Sequence, residues 1–136
     1  MIHTRLCLGI ALMVAGVAAG QSHPAEEKGP AGLWRGTSVC MVKDSPCHDE
    51  ANVYRISTVA GKPQRFTVTA AKIVDGREVE MGPASEWDYD ATKQSLVTTV
   101  GEDRFRLRVD GDKMEGEISL ADGTVYRRTH LTRATR

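Results

Sequence analysis

The sequence has few aromatic residues, few cysteines and no excess of charge of either sign. Its 136 residues include only two Phe, two Trp and three Tyr, fewer aromatics than small-molecule pockets tend to use. Lys and Arg together number 18, and so do Asp and Glu. The basic excess that is typical of nucleic-acid-binding proteins is therefore missing, and we expect no nucleic-acid partner. From Gly32 onward no stretch has convincing helical periodicity, which argues against a helical domain.

The first 20 residues have the pattern of a secretory signal peptide. Arg5 is followed by an uncharged stretch from Leu6 to Gly20 that ends in small residues, as such leaders do. This run is shorter than the roughly 20 apolar residues of a membrane-spanning helix, so we expect cleavage after Ala19 or Gly20 and no membrane span. The sequence predicts a signal peptide over 1–20, a flexible lead-in over 21–31 and one domain over 32–136. The product is expected in the periplasm or secreted.

Cys40 and Cys47 are the two cysteines that remain after the leader. In an oxidising compartment such a pair predicts a disulfide, which contributes about 2.5 kcal/mol in the chain-entropy model. The neighbouring His48, Asp49 and Glu50 offer a metal or haem site as the alternative. Covalent haem needs two residues between the cysteines rather than six, and a disulfide consumes both thiolates that zinc would use. We predict a structural disulfide, with no metal and no cofactor.

Apolar and polar residues alternate between turn signals about 10 residues apart, which is typical of an all-β barrel or sandwich. We predict an antiparallel up-and-down meander that closes into a small barrel of about eight strands, with a β-sandwich as the alternative. The candidate strands are Leu33 to Val42, Asn52 to Val59, Arg65 to Val74, Glu78 to Met81, Ser85 to Asp90, Ser95 to Val100, Arg104 to Val109, Lys113 to Leu120 and Thr124 to Thr132.

Asp-Gly pairs at 75, 110 and 122 predict tight reversals, since both residues tolerate positive φ. A two-residue turn at 110–111 pairs Leu107 with Met114, Arg106 with Glu115 and Arg104 with Glu117. A second such turn at 122–123 pairs Leu120 with Val125, Glu117 with Arg128 and Glu115 with His130. Opposite charges then alternate on the outer face, and a slip of one residue would bury them.

The same register turns Arg127 inward, opposite Ile118. A guanidinium in an apolar interior is costly unless it is paired or stacked, and we predict that Arg127 packs on Trp34. Gly32-Leu33-Trp34 resembles the Gly-x-Trp motif of the lipocalins and their calycin relatives. The resemblance implies a barrel closed at one end by an inward Arg of the last strand; Arg127 is the first candidate and Arg133 the second. The chain also resembles a group of small bacterial exported proteins with a Trp-x-Gly opening, two cysteines and a Gly-Asp-Lys-Met turn.

The calycin resemblance implies a binding function, in which the barrel holds a small apolar or amphipathic molecule. An eight-stranded barrel is just wide enough either to be filled by its own side chains or to hold one small ligand. If there is a cavity, its predicted lining is apolar and mostly aromatic. The residues are Phe66, Trp87, Phe105, Leu107 and Met114.

Two alternatives to ligand binding remain at this stage. An envelope interaction or structural protein would present the polar loop from Lys43 to Glu50 to a partner. An enzyme would need an acid and a base, for which His48 with its two acidic neighbours, or a second carboxylate set, are the candidates; the second set is Glu80, Glu86 and Asp88. No serine lies in a nucleophile motif such as Gly-x-Ser-x-Gly, so we predict no enzyme and assign no catalytic residue. We expect a monomer.

Overall fold

A computed structural model describes residues 28–135, which form an all-β domain. The predicted signal peptide and residues 21–27 of the predicted lead-in lie outside the described residues. Within residues 28–135, no helix is long and apolar enough to cross a membrane. The strands are β1 Gly32–Cys40, β2 Glu50–Val59, β3 Lys62–Val74, β4 Arg77–Glu80, β5 Ser85–Asp90, β6 Ser95–Val100, β7 Asp103–Asp110, β8 Lys113–Ser119 and β9 Val125–Ala134.

Eight of these strands close an antiparallel barrel in the order β1-β2-β3-β5-β6-β7-β8-β9, with β9 pairing back to β1. The remaining strand, β4, forms a hairpin with the last four residues of β3, 71–74. An earlier part of β3, residues 65–68, pairs with β5 instead. The predicted barrel is therefore confirmed, with one strand more than the closed wall needs, and the sandwich alternative is set aside.

Period-two alternation determines the two faces of the wall. Most of the buried apolar residues are on one face of the strands and meet in a single core; Val53 and Ala71, which pair with each other on the opposite face of β2 and β3, are buried as well. The members of the core are Trp34, Tyr54, Ile56, Phe66, Val68, Trp87, Leu96, Leu107, Val109, Met114 and Leu131. The alternate residues face outward and include most of the charged side chains. We call these the interior face and the outer face.

The register of the last three strands agrees with the prediction in its faces but differs in its first turn. Asp110 pairs with Lys113, so the two-residue turn is Gly111-Asp112 rather than Asp110-Gly111. Only Gly111 of this turn has a positive φ, of 59°, which fits a type II′ turn with Gly in its first central position. The pairing shifts by two residues, which leaves every side chain on its predicted face.

The predicted pairs between β7 and β8 are therefore wrong, whereas the charge pairs between β8 and β9 are confirmed. The observed β7–β8 pairs are Val109 with Met114, Leu107 with Gly116, Arg108 with Glu115 and Arg106 with Glu117. Glu117 lies opposite Arg128 and Glu115 opposite His130, as predicted. At the last turn a bulge pairs Ser119 with Val125, so the predicted Leu120–Val125 pair does not form.

Because neighbouring strands are antiparallel, their connections alternate between the two ends of the barrel. One end holds the start of β1, the β7–β8 turn and the end of β9. The opposite end holds the loop of residues 41–49, the turn of the β3–β4 hairpin and the turn between β6 and β7. We call the first the closed end and the second the open end.

Candidate functional site

The closed end is sealed by an arginine stacked on a tryptophan. The Arg133 guanidinium lies 4.2 Å from the centroid of the Trp34 ring, and Trp34 is fully buried. The indole Nε1 donates a hydrogen bond to the Pro30 carbonyl at 2.9 Å. Arg133 donates to Asp112 Oδ1 at 3.0 Å and to three backbone carbonyls, those of Gly29, Ala31 and Gly111. Residues 29–31, the last of the predicted lead-in, therefore take part in this closure.

The prediction that Arg127 packs on Trp34 is wrong, and the second candidate occupies that position. β1 and β9 are antiparallel, so the start of β1 meets the end of β9. Trp34 lies opposite Arg133, whereas Arg127 lies opposite Cys40 at the other end of the barrel. Both arginines are on the interior face; they differ in the end that they occupy.

At the open end Arg127 is held by partners from the chain itself. It donates from Nη1 to Ser38 Oγ at 3.2 Å and from Nη2 to the His48 carbonyl at 2.9 Å. Its Nη2 also lies 3.6 Å from Glu50 Oε1, and the two side chains are only 12% and 13% exposed. A paired guanidinium at this depth avoids the cost of an isolated buried charge. Arg127 therefore fastens the start of β2 to β1 and β9.

The disulfide loop, residues 41–49, adjoins this arginine. The predicted bond between Cys40 and Cys47 is confirmed, with a Cα–Cα distance of 5.8 Å. The amide of Cys40 donates to Asp49 Oδ1 at 2.9 Å, and the amide of Cys47 donates to Ser45 Oγ at 3.1 Å. The loop is thus tied at both ends, and a disulfide is compatible with an exported protein.

A layer of buried polar side chains lies below the open end. Ser38, Asn52 and Thr129 are each at most 3% exposed, and they come from the interior faces of β1, β2 and β9. The Tyr54 hydroxyl reaches the same layer. Burial raises the pKa of Tyr54, while its hydrogen bond with the Thr129 side chain acts in the opposite direction. The phenol therefore stays protonated at neutral pH.

Asn52 is the side chain in this layer whose hydrogen bonds are incomplete. Its Nδ2 donates to the Ala71 carbonyl at 3.5 Å and contacts Met81 Sδ at 3.8 Å. Its Oδ1 is buried and accepts no hydrogen bond from the described residues. The Ala71 carbonyl can only accept, which determines the orientation of the amide. Leaving such an acceptor unsatisfied costs about 1–3 kcal/mol.

The β3–β4 hairpin adds apolar surface at the same end. Lys72 lies opposite both Asn52 and Val79, so the interior face continues from β2 through β3 onto β4. Val74 is on this face of β3, and Met81 follows β4 with its amide bonded to the Ala70 carbonyl. These side chains, together with Val100 at the end of β6, are 38% to 59% exposed. Large apolar side chains on an interior face are thus left open to solvent here.

The five residues predicted to line a cavity lie in or against the apolar core. Phe66, Trp87, Leu107 and Met114 are buried in one cluster, and Phe105 packs against it half-buried. The rings of Trp87 and Phe105 meet edge to face with centroids 6.0 Å apart. These contacts are those of core packing, and the cavity-lining role stays a prediction.

Among the described residues, the carboxylates considered for catalysis do not meet in one cluster with a histidine. Glu86 and Asp88 are on the outer face of β5, where both accept hydrogen bonds from Arg65 at 3.1 and 3.0 Å. Glu80 is on the outer face of β4, and His48 Nε2 lies 3.9 Å from Glu50 Oε1 at the open end. Within residues 28–135, no group of three or more His, Cys, Asp or Glu is placed to hold a metal ion.

A groove of about 900 Å³ crosses the outer face of β5 to β8. Charged side chains line it, and they pair across strands, as Arg65 does with Asp88 at 3.0 Å and Arg106 with Glu117 at 3.9 Å. Exposed pairs of this kind are ordinary on a solvated sheet and contribute little. The open end, which combines a buried unsatisfied acceptor with uncovered apolar side chains, is the candidate site.

Neither a protein-family model nor a curated protein matches the sequence. The eight-stranded antiparallel barrel is compatible with a calycin-like fold. The candidate site therefore rests on the geometry of the open end.

Proposed function

We propose that the protein is an exported binding barrel that takes a small amphipathic molecule at its open end. The observation that carries this proposal is the junction of two features on one interior face: the buried Asn52, whose Oδ1 lacks a donor, and the uncovered side chains of Val79 and Met81. The contact between Asn52 Nδ2 and Met81 Sδ joins the two. A molecule with a polar head and an apolar tail would satisfy the first and cover the second.

The difference between the two ends supports a ligand rather than a purely structural role. At the closed end no buried side-chain nitrogen or oxygen of the described residues lacks a partner, and Trp34 is completely covered. The open end leaves apolar side chains in solvent on the face that elsewhere forms the core. Burying them would contribute about 25 cal/mol for each Å² of apolar surface. A ligand at this end would gain that contribution.

We also propose that the barrel is calycin-like and that the chain is exported. The Trp34–Arg133 stack gives the closure that the calycin resemblance implies, with the second candidate arginine in that role. The disulfide suits an oxidising compartment such as the periplasm or the extracellular medium. A barrel that is closed at one end and open at the other can hold one small molecule at its open end.

Fluorescence titration with a dansyl-labelled medium-chain fatty acid tests the proposal. We expect saturable binding at one site per chain, with a blue-shifted dansyl emission. Val79→Asp places a charge on the interior face of the hairpin and is expected to weaken binding about tenfold or more. Glu80→Gln alters the adjacent residue on the outer face and serves as the matched control. Wild-type protein that shows no saturable binding would refute the proposal and favour the scaffold that presents its disulfide loop.

A further inference from the structure

The interior face of the open end carries more positive than negative charge on the wall formed by β2, β3, β4 and β9. Lys72, Arg77 and Arg127 are on this wall, and Glu50 is the carboxylate among them. Asp103 lies across the opening at the start of β7, on the interior face beside Val100. Cations are thus in excess on the wall next to the exposed apolar side chains.

Two of these cations, Lys72 and Arg127, lie close to the buried polar layer, and Lys72 has the fewer partners. Arg127 has its donors directed to Ser38, His48 and Glu50. The Lys72 ammonium has one described partner, Glu50 Oε1, at 3.9 Å, which is beyond hydrogen-bonding distance, and its side chain is 36% exposed. Its three N–H donors therefore have room for an anionic oxygen.

Lys72 and Asn52 are direct cross-strand partners. Side chains at such positions start about 5 Å apart and point in the same direction. An acceptor that lacks a donor thus lies beside a cation whose ion pair with Glu50 is long, at 3.9 Å. A head group only a few bonds long would therefore contact both residues. It would donate an N–H or O–H to Asn52 Oδ1 and place a negatively charged oxygen beside the Lys72 ammonium.

Resting on the proposed function, we infer that the ligand is a single-chain amphiphile whose head group combines a hydrogen-bond donor with an anionic group. N-acyl amino acids have this chemistry: an amide N–H, a carboxylate one carbon away and an acyl tail. The tail would lie along the exposed interior face of the hairpin, which Val74 and Val79 provide. A simple fatty acid lacks the separate donor, and an uncharged ester lacks the anion.

Three probes with the same acyl chain separate these contributions. Lauroylglycine has the donor and the anion, laurate has the anion alone, and the methyl ester of lauroylglycine has the donor alone. Displacement of the dansyl probe, below the micelle-forming concentration of each compound, gives their relative affinities. We expect lauroylglycine to bind about tenfold or more tightly than either of the others, because each contact adds a hydrogen bond that involves a charged or otherwise unsatisfied group.

Variants assign the two contacts to their residues. Asn52→Leu is expected to abolish the advantage of lauroylglycine over laurate and to leave the affinity for laurate unchanged. Lys72→Met is expected to abolish its advantage over the ester, whereas Lys113→Met, at the closed end, leaves all three affinities unchanged. Cooperative urea unfolding with midpoints no lower than that of the wild type would show that the variants are folded.

The outcomes also separate the inference from the proposed function. Equal affinity of the three probes would overturn the head-group inference and leave the binding function standing. Tighter binding of dodecyltrimethylammonium than of lauroylglycine would overturn the sign of the charge. A lauroylglycine advantage that Asn52→Leu leaves intact would refute the role of Asn52 Oδ1. Failure of every probe to bind would refute both proposals.

Discussion

Replacing Arg133 by methionine removes the guanidinium that seals the closed end and keeps most of the apolar stem. The side chain is 18% exposed, and its guanidinium stacks on Trp34 while it donates to Asp112 and to three backbone carbonyls. After the substitution the stack is lost, and those carbonyls must find water at a partly buried position. Arg133→Met therefore tests whether this closure stabilises the barrel.

The expected cost follows from these contacts. A cation–π stack at a partly desolvated site is worth about 1–2 kcal/mol, and a hydrogen bond from a charged donor about 1.5–3 kcal/mol. The carbonyls can reach solvent, so we count one such bond rather than four, and the methionine sulfur recovers about 0.5 kcal/mol over the ring. The variant is expected to lose about 2–4 kcal/mol, or about 10 °C or more in Tm.

Urea unfolding followed by tryptophan fluorescence measures the effect. Arg128→Met is the control, because Arg128 is the exposed outer-face residue of the same strand opposite Glu117, and its loss should cost less than about 1 kcal/mol. Arg133→Lys keeps the charge without the planar fork and should restore less than half of the loss. If Arg133→Met lowers the urea midpoint no more than Arg128→Met, the closed end does not depend on the stack.

Three further predictions concern the loop, the hairpin and the wall. Replacing both disulfide cysteines by alanine should lower the free energy of unfolding by about 2.5 kcal/mol, measured by urea titration; no loss would mean that the loop is ordered without it. The hydrogen bond from Arg55 lowers the pKa of Glu78 below its ordinary 4.5, so the folded state favours the carboxylate and this stabilisation is lost as the pH falls through the lowered pKa. Glu78→Gln should therefore lower the urea midpoint at pH 7 and leave it unchanged at the acid end of the titration; an equal effect at both would contradict the assignment. A Cβ on Gly36 would approach the backbone carbonyl of His130 far inside contact distance, whereas one on Gly29 meets no atom within 4 Å. Gly36→Ala should consequently prevent folding, as judged by circular dichroism, while Gly29→Ala folds normally.

The strands were predictable because the wall separates core from solvent. Alternation determines which residues face inward, and the nine predicted strands correspond one for one to those in the structure. The turn at 110–111 was misplaced because both Asp-Gly and Gly-Asp are acceptable two-residue turns. A shift of two residues conserves the faces, so the apolar pattern cannot distinguish the two registers.

The closure was harder to predict because it depends on a long-range pairing. Arg127 and Arg133 are an even number of positions apart on β9, so both side chains point inward. Their assignment to opposite ends follows from the pairing of β1 with β9, where the start of one strand meets the end of the other. That rule holds for any antiparallel pair and, applied to Trp34, would have favoured Arg133.

The candidate site was missed because its residues are unremarkable in sequence. Ser38, Asn52 and Thr129 each occupy an inward position of a strand that also places an apolar core residue inward, namely Trp34, Tyr54 and Leu131. A polar residue at an inward position was the available signal. Val79 of β4 and Met81, which follows it, gave no signal in the sequence. Only the geometry of the hairpin places them on the interior face with their side chains uncovered.

The cost of the open end explains why we interpret it as a binding site rather than as a weakly packed end. The fold could satisfy the Asn52 position with an apolar residue, as it does at Tyr54 and Ile56 on the same face of β2. Instead it keeps an acceptor without a donor, at about 1–3 kcal/mol, next to Lys72 and the bare face of the hairpin. Here the unsatisfied acceptor, the loosely paired cation and the uncovered apolar face lie side by side, and one amphipathic molecule would relieve all three.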